Sequence, residues 1–341
     1  MSTPLHEAVR RLASGESLSA TLAADAFGAI MEGDAPPTLI AALLLGLRAR
    51  GETADEIAGA ARALRNAMLR VPVAENLACV DTCGTGGGSV TTINISTAAA
   101  LVTAAAGVAV AKHGNRSFTS QCGSADVLAA LRVPVPQTPE AAAEMLRRSG
   151  IVFLFAPHFH PAMRHAAPVR RELAVPTIFN IVGPLANPAA VRRQVVGVAD
   201  RGQGATVAQA LASLGTDHAL VVHGRAGLDE ISPVGESDVW EVRGPTVTAW
   251  ALEPADFGLA ARDLDTVRGA DPQANAERLE GILRHGTGAP GYEAVVLNAA
   301  AGVYVSGTAV TFAAAVERAR AALDSGEALD LLEAVRTNSD E

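Results

Sequence analysis

The sequence predicts an α/β protein. A small all-helical N-terminal domain occupies residues 1–70, and a larger α/β domain with a mostly parallel central sheet occupies residues 71–341. Three observations predict it. Residues 1–70 carry only helical start and stop signals. From Val71 onward, short apolar runs alternate with Ala-rich stretches of helical length, the pattern of a parallel sheet covered on both faces. Between the first such run and the first such stretch lies Gly84-Thr85-Gly86-Gly87-Gly88-Ser89. Strand, glycine loop and helix N-terminus, in that order, form a phosphate site.

The elements follow in order. Ser19 and Thr21 are candidate caps for a helix ending near Gly33. Pro36 or Pro37 opens the next, which runs through Leu39, Leu43 and Leu47 to Gly51. Thr53-Ala54-Asp55-Glu56 is a capping-box pattern before a third helix containing Ile57, Ala61 and Leu64. Leu77 to Val80 reads as the first strand, and Ser96 to Ala106 as a helix with Asn94, Ser96 or Thr97 as cap. Further strands are expected at Val108–Ala111, Ile151–Phe155, Gln194–Val198 and His218–Val222. Ligands of such sheets sit at the carboxyl ends of strands. Gly84 and Lys112 both fall just after an expected strand, so they can face one crevice. The polar tail Asn338–Glu341 is expected to fray.

Composition bounds the function. Hydrophobic residues make up 49% of the chain but aromatics only 4%, so the core must be Ala, Val and Leu. A net charge of −9 argues against nucleic-acid backbone binding as the main task. Three cysteines, an odd count, imply no disulfide framework and fit a reducing cytoplasm. Cys79 and Cys83 have metal-like spacing, but no second ligand pair accompanies them, and small buried residues are the better reading. The N-terminus lacks the basic and apolar segments of a secretory leader. The weakly polar run Thr97–Ala111 is shorter than the roughly 20 residues of a membrane helix, so no membrane association is expected.

A bare turn needs one or two glycines, whereas Gly84–Gly88 contains four. Lys112 alone would be a solvated lysine; after an apolar strand and before His113-Gly114-Asn115-Arg116 it reads as a phosphate ligand. Ser117, Thr119, Ser120 and Ser124 add small donors. Asp126 either serves the site or caps the next helix. Asp229-Glu230, by spacing alone, is an exposed acidic loop. His158, His160 and His165 invite a zinc reading, but no Cys, Asp or Glu completes the set locally.

These residues carry a resemblance. Over nearly its whole length the chain resembles the anthranilate phosphoribosyltransferases of tryptophan biosynthesis. The matching motifs are Gly84-Thr85-Gly86-Gly87, Asn94-Ile95-Ser96-Thr97, Lys112 to Arg116, Gly123-Ser124-Ala125-Asp126, Pro168 to Leu173, Thr177 to Asn180, Gly183-Pro184-Leu185-Ala186-Asn187-Pro188, and Asp229-Glu230. The resemblance implies transfer of the 5-phosphoribosyl group of 5-phosphoribosyl 1-diphosphate (PRPP) to the amine of anthranilate, releasing pyrophosphate.

It implies a donor cradle of Gly84, Gly87, Gly88, Thr92, Asn94, Ile95, Ser96 and Thr97, closed by Lys112, His113, Gly114, Asn115, Arg116, Ser117, Phe118, Thr119, Ser120 and Ser124. Anthranilate would meet Gly84, Asn115 and Arg170, with Arg171 as the alternative that sequence alone does not separate. Mg²⁺ would be held by Ser96, Asp229 and Glu230, an all-oxygen set. No side chain is assigned as a catalytic acid or base, because an aromatic amine is already neutral at pH 7. The resemblance also implies a homodimer joined through the helical domain, with which the apolar Leu39 to Leu47 face is compatible, and a segment near residues 165–190 that returns to that domain as a hinge. One departure stands out: Gly88-Ser89 replaces the family's usual Asp-Gly. Two rival readings share the fold: a pyrimidine nucleoside phosphorylase, disfavoured by Lys112–Arg116 and Asp229-Glu230, and a nucleic-acid-binding protein, disfavoured by the acidic total and Asp229-Glu230.

Overall fold

A computed structural model describes residues 3–74, 77–116 and 121–337; Ser117, Phe118, Thr119, Ser120 and the tail 338–341 lie outside the described residues.

The chain begins with four helices, α1 (Pro4–Ala13), α2 (Ala20–Glu32), α3 (Pro37–Arg50) and α4 (Ala54–Ala67). Their starts follow local chemistry. Thr3 and Ser19 accept first-turn N–H groups, Pro37 occupies a position that needs no N–H, and Thr53 with Glu56 closes a reciprocal capping box. α2 stops where Gly33 adopts φ 91°, a left-handed conformation that favours glycine. α1, opened by Thr3 and Pro4, is not among the expected helices, which begin at Ser19.

The remainder winds around one sheet. Its strands are β1 (Val80–Gly84), β2 (Val110–Gly114), β3 (Ile151–Phe155), β4 (Arg193–Gly197), β5 (His218–Gly224), β6 (Ser237–Arg243) and β7 (Thr246–Leu252). Among the described residues their order is β3-β2-β1-β4-β5-β6-β7, with β1 to β5 parallel and β6 and β7 antiparallel. The chain leaves β1 toward β2 and β3, then returns to β4 on the other side of β1. The β1–β4 pair is therefore the topological switch point, where such sheets bind ligands.

One face of the sheet carries α5 (Ile95–Ala105) with α12 (Pro272–His285), α13 (Tyr292–Ser306), α14 (Phe312–Asp324) and α15 (Glu327–Thr337). α6 (Ser124–Ala130), α7 (Pro139–Ser149) and α8 (Ala156–Phe159) flank the β2–β3 side. The other face carries α11 (Gly204–Ser213), packed in turn on α4. Two short helices, α9 (Ala167–Leu173) and α10 (Ile178–Val182), pack with the N-terminal helices, and Phe179 meets Phe27 edge to face at 5.5 Å. α13 is buried almost all round, which its alanines and Gly302 permit.

The expected strands are present but shifted. β1 begins at Val80 rather than Leu77 and carries the polar Asp81 and Thr82 inside the sheet. Their polar groups are satisfied there: Asp81 accepts from the His113 N–H at 3.1 Å and from Asn187 at 2.8 Å, and Thr82 donates to the Ser96 carbonyl at 3.1 Å. β2 likewise starts two residues late and runs to Gly114, so Lys112 lies within the strand and not after it. The β6–β7 hairpin and helices α12 to α15 have no counterpart among the expected elements.

Candidate active site

Four parallel strands end on glycine: Gly84, Gly114, Gly197 and Gly224. The last two have a steric purpose. A Cβ on Gly197 would lie 1.6 Å from the Asp229 carbonyl oxygen, and one on Gly224 would lie 2.8 Å from that of Glu230. Glycine at these ends lets the segment after β5 lie flat across the carboxyl edge of the sheet, at the switch point. Gly114 similarly makes room for Ser124, whose hydroxyl donates to the Asn115 carbonyl at 3.1 Å.

Asp229 and Glu230 are therefore half-buried, not an exposed acidic loop. The Asp229 carboxylate lies against the glycine loop: Cβ atoms on Gly84 and Gly88 would approach its oxygens to 3.1 and 3.0 Å. Burial pushes the Asp229 carboxyl above the usual range, opposed by the Gly86 backbone N–H. Burial and the charge of Asp229 push Glu230 well above it, opposed by the Lys112 ammonium. Glu230 Oε2 is buried without a hydrogen-bond partner among the described residues. Two adjacent raised carboxyls with an unpartnered oxygen either share a proton or accept a cation. A small pocket beside them, lined by Thr82, Ser96, Val222, Asp229, Glu230 and Asn298, has room for one water-sized group.

Lys112 is only 3% exposed. Its ammonium donates to the Thr82 carbonyl and, at 3.2 Å, to the Ser96 hydroxyl. Burial pulls its pKa down, while Asp81 and Glu230 hold it up. Lys112 thus sits beneath the strand ends as a counter-charge to two acids. Ser96, in the first turn of α5, links it to the crevice.

The other expected donor residues divide. Gly86 and Gly87 take positive φ of 67° and 87°, the conformation for which a loop of glycines is suited. Gly88 does not. Asn94 is the N-cap of α5, but its side chain donates to the Cys122 carbonyl at 3.2 Å and accepts from Asn275 at 3.2 Å, so it ties the glycine loop to the loop before α6. Thr92 bridges to Arg268. Ile95 and Thr97 have no exposed surface. Asn115 and Arg116 are exposed beyond β2, and Arg116 lies 3.8 Å from Asp126. Asp126 accepts from the Gly123 N–H at 2.9 Å, the capping role.

Arg170 is half-buried on α9, with its guanidinium 5.3 Å from the centre of the Phe179 ring, and it has no ion pair among the described residues. Desolvation lowers its pKa. Arg171 is exposed, which separates the two arginines. The three histidines face different neighbours: His158 meets the Pro136 carbonyl at 3.3 Å, the His160 ring lies tilted against His113 with centres 5.1 Å apart, and His165 packs on Gly33. His113 and His160 are buried, and desolvation lowers them to about 3 and about 4. Asp81, Gln194 and Asn298, which prove to hold the site together, carry no motif signal of their own.

A helical bundle beside an α/β domain, with a glycine loop and an acidic pair at the switch point, defines a glycosyl transferase of this two-part build. The glycosyl transferase family models match it in both parts, the helical bundle domain over residues 6–68 and the a/b domain over residues 76–329. The chain belongs to the anthranilate phosphoribosyltransferase family. It is 48% identical to the anthranilate phosphoribosyltransferase of Rubrobacter xylanophilus over 96% of both chains, and 47% identical to that of Thermomicrobium roseum over 97% of this chain and 96% of the relative. The crystal structure of the Thermus thermophilus enzyme superimposes with a TM-score of 0.91 at 43% identity, over 97% of this chain and 98% of that one. The Saccharomyces cerevisiae enzyme in complex with PRPP and Mg superimposes with a TM-score of 0.87 at 28% identity, over 98% of both chains.

Proposed function

We propose that this chain transfers the 5-phosphoribosyl group of PRPP to anthranilate, giving N-(5-phosphoribosyl)anthranilate and pyrophosphate, in tryptophan biosynthesis. The observation that carries this reading is the meeting of the glycine loop with Asp229 and Glu230 at the ends of β1 and β4, where Glu230 Oε2 lacks a partner among the described residues. The diphosphate of PRPP is cradled by Gly84 to Gly88, the start of α5, and Lys112 to Arg116 with Ser124.

Asp229, Glu230 and Ser96 form an oxygen donor set that fits Mg²⁺, and the unpartnered carboxylate oxygen supports that fit. Bound there, Mg²⁺ would neutralise charge on the leaving pyrophosphate. The chain's own residues position the reactants. Arg170, desolvated over Phe179 and without an ion pair among the described residues, is suited to a carboxylate such as that of anthranilate. Closure of the helical domain would keep water from the donor.

A homodimer is part of the proposal. The expected Leu39 to Leu47 face is not available for it: in α3, Leu43, Leu44 and Leu47 are buried inside the protomer because they pack the helical bundle, whereas Thr38, Ala42, Leu45 and Ala49 form an exposed stripe. Leu45 is 50% exposed, and light scattering of Leu45→Glu tests that face. Among the described residues no helix is long and apolar enough to cross a membrane. The three unbridged thiols suit a cytoplasmic setting. The function is tested by following anthranilate fluorescence with PRPP and Mg²⁺: loss of signal requiring all three components supports the reading, and turnover of thymidine with phosphate instead would replace it.

A further inference from the structure

The loop between β5 and β6 carries Asp229 and Glu230, and it is fastened at several points. The Gly224 N–H donates to the Leu228 carbonyl, and the Arg225 N–H to the Glu236 carbonyl, both at 3.0 Å. The Ser232 N–H donates to the Ser237 hydroxyl at 2.9 Å. Ser89 of the glycine loop reaches the Gly227 carbonyl, the Ala261 N–H donates to the Pro233 carbonyl at 2.8 Å, and a further fastening comes from a distant helix. Asn298, on α13, accepts from the Ile231 N–H at 3.0 Å and donates to the Ile231 carbonyl at 2.9 Å. Its amide also donates to the Ala294 carbonyl at 2.9 Å, one turn back in the same helix, which fixes the side chain's own direction. Asn298 is only 5% exposed and lines the pocket shared by Asp229, Glu230 and Ser96.

A residue held at both its N–H and its C=O cannot turn either of its peptide planes freely. The plane before Ile231 contains the Glu230 carbonyl, which is itself pressed over Gly224. The grip on Ile231 thus fixes the backbone from which the Glu230 side chain projects. It uses neither carboxylate oxygen, and Glu230 Oε2 stays unpartnered among the described residues. The anchor stands on a helix buried almost all round, so its position is rigid.

We infer that Asn298 is a positioning residue for Glu230: by holding both backbone polar groups of Ile231, it directs the Glu230 carboxylate beside Asp229 and Ser96 to receive a divalent cation. This rests on the metal reading of Asp229 and Glu230 given above. An amide that merely tied down a loop would affect melting and leave metal affinity alone.

The test titrates the full-length protein with Mn²⁺ in the presence of inorganic pyrophosphate, reading free Mn²⁺ by electron paramagnetic resonance, and separately measures KM for anthranilate at saturating Mg²⁺. Asn298→Leu removes both bonds and should weaken Mn²⁺ binding about tenfold or more, the size seen when groups that orient metal ligands are lost. Its KM for anthranilate should stay within about twofold. Asn298→Ser keeps one hydroxyl near Ile231 and should fall between. Wild-type Mn²⁺ affinity in folded Asn298→Leu overturns the inference; should that variant not fold, wild-type affinity in Asn298→Ser overturns it equally. Glu230→Gln runs in parallel. If it too binds Mn²⁺ like the wild type, the metal reading has failed and the inference falls with it; if only Glu230→Gln is weakened, the inference alone is wrong.

Discussion

Asn187 donates to the buried Asp81 carboxylate at 2.8 Å and to the Ala111 carbonyl at 2.7 Å. One amide thereby fastens the Gly183–Pro188 segment to β1 and β2. Gln194 adds a bond to the Pro184 carbonyl at 3.0 Å, and Arg65 reaches from α4 to the Leu185 carbonyl at 2.7 Å. The segment that connects the helical bundle to the sheet is therefore pinned from both sides. Asn187→Leu should leave two buried acceptors without this donor and destabilise the fold by about 2–4 kcal/mol. Urea unfolding at pH 7 measures it, and a loss below about 1 kcal/mol would show that water replaces the amide.

Much of this architecture is legible in the sequence, and the misses have physical causes. Ser19, Gly33, Pro37 and Thr53, and Glu56 in its capping box, act within a few residues of where they stand, so local rules read them correctly. Strand ends fall a few residues from their expected places because Asp81 and Lys112 look like loop residues. They are buried in strands only because Asn187, Thr82 and Ser96 satisfy them from elsewhere in the chain. The glycine loop and Asp229-Glu230 stand out by motif, but the burial of the acids depends on Gly197 and Gly224, whose role is a long-range fit. Asn298 acts across 67 residues and leaves no periodic or compositional trace.

Arg170→Ala should raise KM for anthranilate far more than KM for PRPP. Loss of a charge-assisted pair predicts about 1.5–3 kcal/mol, roughly tenfold to over a hundredfold. Arg171→Ala, on the exposed neighbour, should change neither constant by more than about twofold. Steady-state kinetics with each substrate varied decides the assignment; the reverse pattern transfers the role to Arg171.

Asp229→Asn with Glu230→Gln should abolish Mg²⁺-dependent turnover without unfolding the protein. Both carboxyls are raised by burial, so their ionised forms are disfavoured in the fold at neutral pH. Neutral amides of the same shape relieve that. The metal-free double variant should melt at or above the wild-type temperature, and scanning calorimetry with excess chelator checks this. A much lower melting point would mean that the acids serve the fold more than the metal.

His160 gives a pH signature. Its pKa is lowered by burial to about 4, against 6.5 for the free side chain. A depressed base favours the fold above the unfolded pKa, and that contribution is lost as pH falls from about 6.5 toward about 4. Asp81, raised to about 6 by burial, acts in the opposite sense: it takes up its proton in the fold first and gains stability as pH falls from 6 toward 3.8. His113 adds to the histidine trend, so the total slope mixes signs. The difference between wild type and His160→Phe isolates one group. The variant should gain about 2 kcal/mol relative to wild type on going from pH 7.5 to pH 5. Denaturant unfolding at the two pH values measures it; a pH-independent difference would mean a solvated imidazole with an unshifted pKa, and a loss instead of a gain would mean one held charged in the fold.

Gly88→Asp restores the side chain that the resemblance leads one to expect, and the structure argues against a benefit. Gly88 has no positive φ, so backbone strain is not the obstacle. Space and charge are. A Cβ there would lie 3.0 Å from Asp229 Oδ1 and 3.2 Å from the Gly227 carbonyl, both tighter than ordinary contact. The new carboxylate would project beside two acids whose pKa values burial already raises above the usual range. Ser89 has also settled into the loop: its N–H and its hydroxyl reach the Gly227 carbonyl at 3.0 and 3.2 Å, so glycine loop and acidic loop are joined where the usual Gly would leave the hydroxyl out. Gly88→Asp should therefore push the acidic loop outward, raise KM for PRPP and raise the Mg²⁺ concentration for half-maximal rate, each by several-fold. The double change Gly88→Asp with Ser89→Gly removes the hydroxyl tether and should recover part of that loss. Kinetics at varied PRPP and Mg²⁺ decide it: a several-fold fall in KM for PRPP in the single variant, at unchanged melting temperature, would show that the Gly88 loop is an impaired form of the usual one and not an adapted one.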